Sequence, residues 1–194
     1  MVIDANLNLV LPVRSGEDGE PLLYAYHTSI SGEVFTANYR IIAETNAMIW
    51  GKGLKFAATS GVRVANLMLL DVSKADAQER EIEDSGPALL SEIKRLTLIL
   101  APSGQGFDLV PVDIAIARGF IDKDDWSEAE ASIVFFTLGY AMARRATRKT
   151  FAGSLASVIG GSMTSLSPSD YLDSLRRSKP DESSEATVTS SVPS

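Results

Sequence analysis

The chain has 194 residues, 45% hydrophobic and 22% charged, the balance of a soluble globular protein long enough to bury a sizeable core. Lys and Arg number 18 against 25 Asp and Glu, and the net charge of −7 argues against binding to bulk DNA or RNA, which needs a basic footprint. Cysteine is absent, which excludes disulfides, thiolate metal sites and a cysteine nucleophile, and fits a reducing cytoplasm.

The first expected element is a β-hairpin. Two apolar runs, LNLVLPV (7–13) and PLLYAYHTSI (21–30), flank the turn-forming segment RSGEDGE. Ser31 is placed to cap a helix over 32–50. Glu33 lies at its positive end, Val34, Phe35, Ile41, Ile42, Met48 and Ile49 form its inner stripe, and Thr36, Arg40 and Glu44 lie opposite. Gly51 and Gly53 stop it. A second helix is expected over 60–76, with Val62, Ala65, Leu69 and Val72 inward. The charged stretch KADAQEREIEDSG then reads as a solvated helix end or a loop.

Ser85 and Pro87 restart a helix through ALLSEIKRL, and LTLIL and FDLVPV around APSGQG read as a second hairpin or as a helix running into a loop. VDIAIARG is a short helix closed by Gly119. Asp122 caps the clearest helix, expected over 123–145. Trp126, Ala129, Ile133, Phe136 and Tyr140 line one stripe of it, and Ala131, Phe135, Leu138 and Met142 another. From Ile133 onward almost every face is apolar, so this helix is buried or packs on a partner. A further helix starts basic and ends at Gly160 and Gly161. A short capped turn then carries Tyr171, Leu172 and Leu175 on one face, and a Ser/Thr/Glu/Pro-rich tail follows.

The resulting expectation is an α+β fold, mainly α. An N-terminal hairpin leads into a helical bundle, a small second hairpin lies near 96–112, residues 1–178 form one domain, and 179–194 form a disordered tail. No secretory signal is visible at the start, and the longest apolar stretches fall short of the roughly 20 residues that span a bilayer.

Few motifs point to chemistry. His27 is the only histidine and would have to serve as the base of any Ser–His–acid triad, yet no Gly-x-Ser-x-Gly elbow accompanies it. It reads as a half-buried strand histidine. A zinc site needs His and Cys clusters that this chain lacks. Asp122, Lys123, Asp124 and Asp125 crowd a helix start, where the dipole accounts for the acids better than a cation does. GKGLK and PSGQG match neither phosphate-loop pattern. Glu128 and Glu130 lie two apart on a helix and point to different sides, as on a solvated face. No catalytic, cofactor-binding or metal site is therefore expected. Arg144, Arg145, Arg148 and Lys149 have two readings, as cations at a helix C-terminus or as a docking patch for an acidic partner. Arg176 and Arg177, beside Tyr171, Leu172 and Leu175, make a smaller cluster that either packs back or docks elsewhere.

The order of these pieces resembles the tail assembly chaperones of long-tailed bacteriophages. The similarity runs from Pro21 to Pro180 and is carried by SGEVFTANYRIIAETNAMIW, VANLML, SEIKRLTLIL, LVPVDIAIARGFIDKDDWSEAEASIVFFTLGYAM and SLSPSDYLDSLRRSKP. It implies a mostly helical, non-enzymatic protein of the infected host's cytoplasm that holds the tape measure protein, recruits tail tube subunits and self-associates. It also implies that a longer frameshifted product can exist, with the tail as its junction. The partner-binding residues expected on this reading are Phe135, Phe136, Arg144, Arg145, Tyr171, Leu172, Leu175, Arg176 and Arg177, with no nucleic acid or membrane as partner. The rival readings are a virion structural protein such as a tail completion or connector subunit, a small enzyme with an unrecognised site, and a regulatory adaptor.

Overall fold

A computed structural model describes residues 2–4, 6–15, 21–103, 106–144, 146–158, 161–164, 170 and 173. The fold is α+β and mainly α. In chain order come β1 (Val2–Ile3), β2 (Leu9–Ser15), β3 (Pro21–His27), α1 (Gly32–Gly51), α2 (Leu54–Phe56), a π-helical turn (Ala57–Gly61), α3 (Val62–Arg80), α4 (Gly86–Arg95), β4 (Thr97–Ser103), β5 (Gly106–Pro111), α5 (Val112–Ala117), α6 (Lys123–Met142), α7 (Arg148–Val158) and β6 (Ser162–Met163).

Both expected hairpins form, and they share one sheet. The strand order is β5-β4-β3-β2-β1-β6, antiparallel throughout except for the parallel β1–β6 pair at one edge. Register fixes which side chains face inward. One row runs Ile3, Leu9, His27 and Thr97 across four strands, and the next runs Leu11, Ala25, Ile99 and Val110. All eight are buried, because these rows lie under the helices. Between Pro12 and Ser15 the β2–β3 register shifts, as at a β-bulge.

Helix boundaries follow local chemistry. Ser31 Oγ accepts a hydrogen bond from the Val34 amide at 3.2 Å and starts α1. Gly53, at φ +92°, takes the chain out of it through a left-handed conformation that other residues rarely adopt. At α6, Asp122 accepts from the Asp124 and Asp125 amides at 2.8 Å, and the Asp125 carboxylate accepts from the Asp122 amide at 2.9 Å. That is a reciprocal capping box.

Three expectations need correction. Met48 belongs to the predicted inner stripe of α1 but is exposed, because it lies about 100° round the helix from Ile49, past the edge of the buried face. The second helix is displaced: it is entered through the π turn, starts at Val62, and continues to Arg80, so most of the charged stretch is helical. The helix expected over 123–145, α6, ends earlier than predicted, at Met142, where Ala143 turns extended.

The core lies between the sheet and the helices. Helix α6 is its axis, with α1, α3, α4, α7 and β2 packed against it. Polar residues tie the outer helices together. Asp76 on α3 pairs with Arg40 of α1 and Arg80 of its own helix at 3.2 and 3.1 Å. Ser73 Oγ accepts from the Gly86 amide at 2.7 Å and locks α3 to the start of α4.

Candidate partner-binding surface

Phe135 and Phe136, expected as contacts for a partner, belong to the interior at 2% and 0% exposure. Phe135 lies against Trp50 with ring centroids 5.9 Å apart, and Phe136 lies 4.9 Å from the Tyr140 ring. The correction has a physical reason: α6 is apolar on every side because it is wrapped by other elements of its own chain. Tyr140 completes this interior. Its hydroxyl accepts from the Ile30 amide at 2.9 Å, and burial pushes its pKa up to about 12 against the opposing effect of that hydrogen bond.

Beyond the end of α6 the surface changes character. Arg144 follows the C-cap residue Ala143 and is exposed, Arg148 is half-buried, and Lys149 is exposed. The helix-terminus explanation fails for the last two. Arg148 and Lys149 occupy the first turn of α7, whose positive dipole end disfavours cations. Among the described residues, no ion pair joins Arg144, Arg148 or Lys149 to a carboxylate. Met142, Phe151 and Met163 are exposed in the same part of the chain, and Met163 crosses close over Gly153, where a Cβ would meet its sulfur at 2.8 Å. Helix α7 and β6 thus present cations and large apolar side chains together. Arg145, Tyr171, Leu172, Leu175, Arg176 and Arg177, with the expected tail, lie outside the described residues.

His27 is wholly buried rather than half-buried. Thr97 Oγ1 donates to the Ile93 carbonyl at 2.8 Å, so it accepts from Nδ1–H of His27 at 3.0 Å. That bond fixes the tautomer and leaves Nε2 as an acceptor, which has no hydrogen-bond partner among the described residues. Burial lowers the His27 pKa to about 4. The carboxylates stay apart: Glu128 is exposed, while Glu130 accepts from Asn66 Nδ2 at 3.0 Å. Among the described residues, no group of three His, Asp or Glu side chains is placed to hold a metal. An open groove of about 500 Å³ between β2 and α6 is lined by Pro12, Arg14, Asp125, Glu128 and Ser132. Arg14 Nη1 is engaged there with the Phe120 carbonyl at 3.2 Å. No described helix is long and apolar enough to cross a membrane.

Sequence reasoning missed several exposed apolar side chains: Tyr39 and Met48 on α1, Leu54 on α2, Leu67 on α3, and Leu109 on the edge strand β5. Their signal was present as apolar residues out of phase with the buried stripe. The chain matches no family model, no curated protein and no solved structure.

Proposed function

We propose that this chain is a tail assembly chaperone of the kind made by long-tailed bacteriophages. On this reading it works in the host cytoplasm without catalysis, holds the tape measure protein and recruits tail tube subunits. The single observation that supports it most is the α7 end, where exposed Phe151 and Met163 accompany Arg144 and Lys149. Such a surface suits reversible contacts with another polypeptide, because apolar anchors supply affinity while rim cations steer an acidic partner and exchange readily with water.

Co-expression tests the reading. The chain and a tape measure protein encoded beside it are expected to co-purify, and Arg144→Glu/Lys149→Glu is expected to weaken the complex by about tenfold or more. Mass spectrometry of finished particles supplies the opposing outcome. Recovery of the chain in stoichiometric amount would make it a tail completion or connector subunit instead.

A further inference from the structure

The corner where α1 passes through α2 into α3 carries a second surface, on a different part of the chain. Between Glu44 and Asp71 there is no acidic residue, although the whole chain carries a net charge of −7. Lys52, Lys55 and Arg63 fall in this interval, and all three are exposed. Among the described residues, none of the three forms an ion pair. Lys52 instead holds its ammonium 5.4 Å from the centre of the Phe56 ring.

Apolar side chains project from the same corner. Leu54 is 61% exposed, and Met48, in the last turns of α1 six residues earlier, is exposed as well. The backbone beneath is held firmly. Gly53 takes its left-handed conformation, its amide donates to the Trp50 carbonyl at 2.9 Å, and the Ala57 amide donates to the Gly53 carbonyl at 3.0 Å. Gly61 ends the π turn so close to Ile49 that a Cβ there would approach its Cγ2 to 2.9 Å. Leu54 is therefore displayed by a fixed turn.

We infer that this corner docks an acidic amphipathic helix of a second protein, with Leu54 and Met48 as apolar anchors and Lys52, Lys55 and Arg63 facing its carboxylates. The charge balance selects an acidic occupant. Every element here is helical and offers no open strand edge, so strand addition by an extended peptide is excluded and a helix laid against the corner is the occupant that remains. Three cations also fall below the four to eight that mark a basic cluster binding anionic lipid. The inference does not depend on the tail-assembly reading, and its test uses no tail protein, so either can fail without the other.

The probe is a fluorescent helix-forming peptide of roughly 18 residues, with leucine on one face and glutamate elsewhere. It is expected to bind the full chain, and more weakly as salt is raised. Leu54→Ser and Lys52→Glu/Lys55→Glu are each expected to weaken it about tenfold. Both changes are at exposed positions, and unchanged circular dichroism melts verify that the variants fold. Four results would overturn the inference. The first is the absence of peptide binding, and the second is equal binding of a peptide with lysine in place of glutamate. The third is capture of the chain by phosphatidylserine vesicles through the same residues. The fourth is a change of oligomeric state in the variants with peptide binding intact, which would assign the corner to a second copy of this chain.

Discussion

Helices α1 and α6 are both 20 residues long and both begin at a side-chain cap, yet four residues of α1 are buried against twelve of α6. Helix α1 is amphipathic: Ile41, Ile42, Thr45 and Ile49 face the core, while Thr36, Arg40 and Glu44 face water. Helix α6 is enclosed by four other helices and a strand. An all-round apolar sequence has two physical solutions, an interior position or a partner. Here the chain's own elements fill the role that sequence reasoning could equally give to another molecule. The two surfaces proposed for docking lie where α1 ends and beyond the end of α6.

The largest expected effect comes from placing the same charge in both helices. Phe136→Asp puts a carboxylate where the native side chain is fully buried among apolar neighbours of the core. A loss above about 4 kcal/mol is expected, a large fraction of the 5–15 kcal/mol that holds an ordinary domain. Ala47→Asp on the exposed side of α1 is expected to change stability by less than about 1 kcal/mol. Urea denaturation of both variants measures the difference. A folded Phe136→Asp protein that has merely lost self-association would place α6 at an interface and break the contrast.

The next effect uses the buried histidine. His27 binds a proton less readily folded, near pH 4, than unfolded, near pH 6.5. The unfolded chain therefore takes up more protons between those values. The stability contributed by neutral His27 is complete above about pH 6.5, declines as pH falls, and is lost near pH 4. A shift of this size is on the order of 3 kcal/mol. His27→Gln is expected to flatten the decline measured by urea denaturation between pH 7 and 5. An equally steep decline in the variant would overturn the assignment. On the exposed side, Glu92 is held below the usual carboxylate range by its hydrogen bonds to Arg95, at 2.6 and 2.8 Å. Its effect falls at lower pH, is lost on acidification, and is weakened by solvent screening.

Much of this arrangement is legible in the sequence. Ser31, Asp122, Gly53 and Gly119 mark helix ends by chemistry that acts within a few residues, and the first hairpin is announced by the turn-forming RSGEDGE, while LTLIL and FDLVPV read equally as a hairpin or as a helix running into a loop. What is not legible depends on distant parts of the chain. Nothing local says that Tyr24 pairs with Leu100 and so joins both hairpins into one sheet. Two-residue strands such as β1 and β6 are too short to show an alternating pattern. Polar residues on α3 also mislead. Asn66, Ser73 and Asp76 are buried because partners on α6, α4 and α1 satisfy them, and periodicity cannot supply those partners. The candidate surface was half legible. The cations at Arg144 and Lys149 stand out, but whether the neighbouring phenylalanines face outward is decided only by the packing around α6.

The smallest effect distinguishes the two caps. Ser31 supplies one neutral acceptor, at 3.2 Å from the Val34 amide. Asp122 accepts two amides at 2.8 Å, and Asp125 returns the contact to the Asp122 amide. Both caps are exposed, so water can replace part of what a substitution removes, and neither change approaches the cost of a charge in the core. The Asp122 cap also places a negative charge at the positive end of a 20-residue helix, an interaction a serine cannot make. Asp122→Ala is therefore expected to cost about 1–2 kcal/mol and Ser31→Ala about 0.5–1 kcal/mol. Added salt should narrow the gap by weakening only the charge-assisted cap. Equal losses at low and high salt would show that the enclosed helix draws its stability from packing alone, with its capping box redundant.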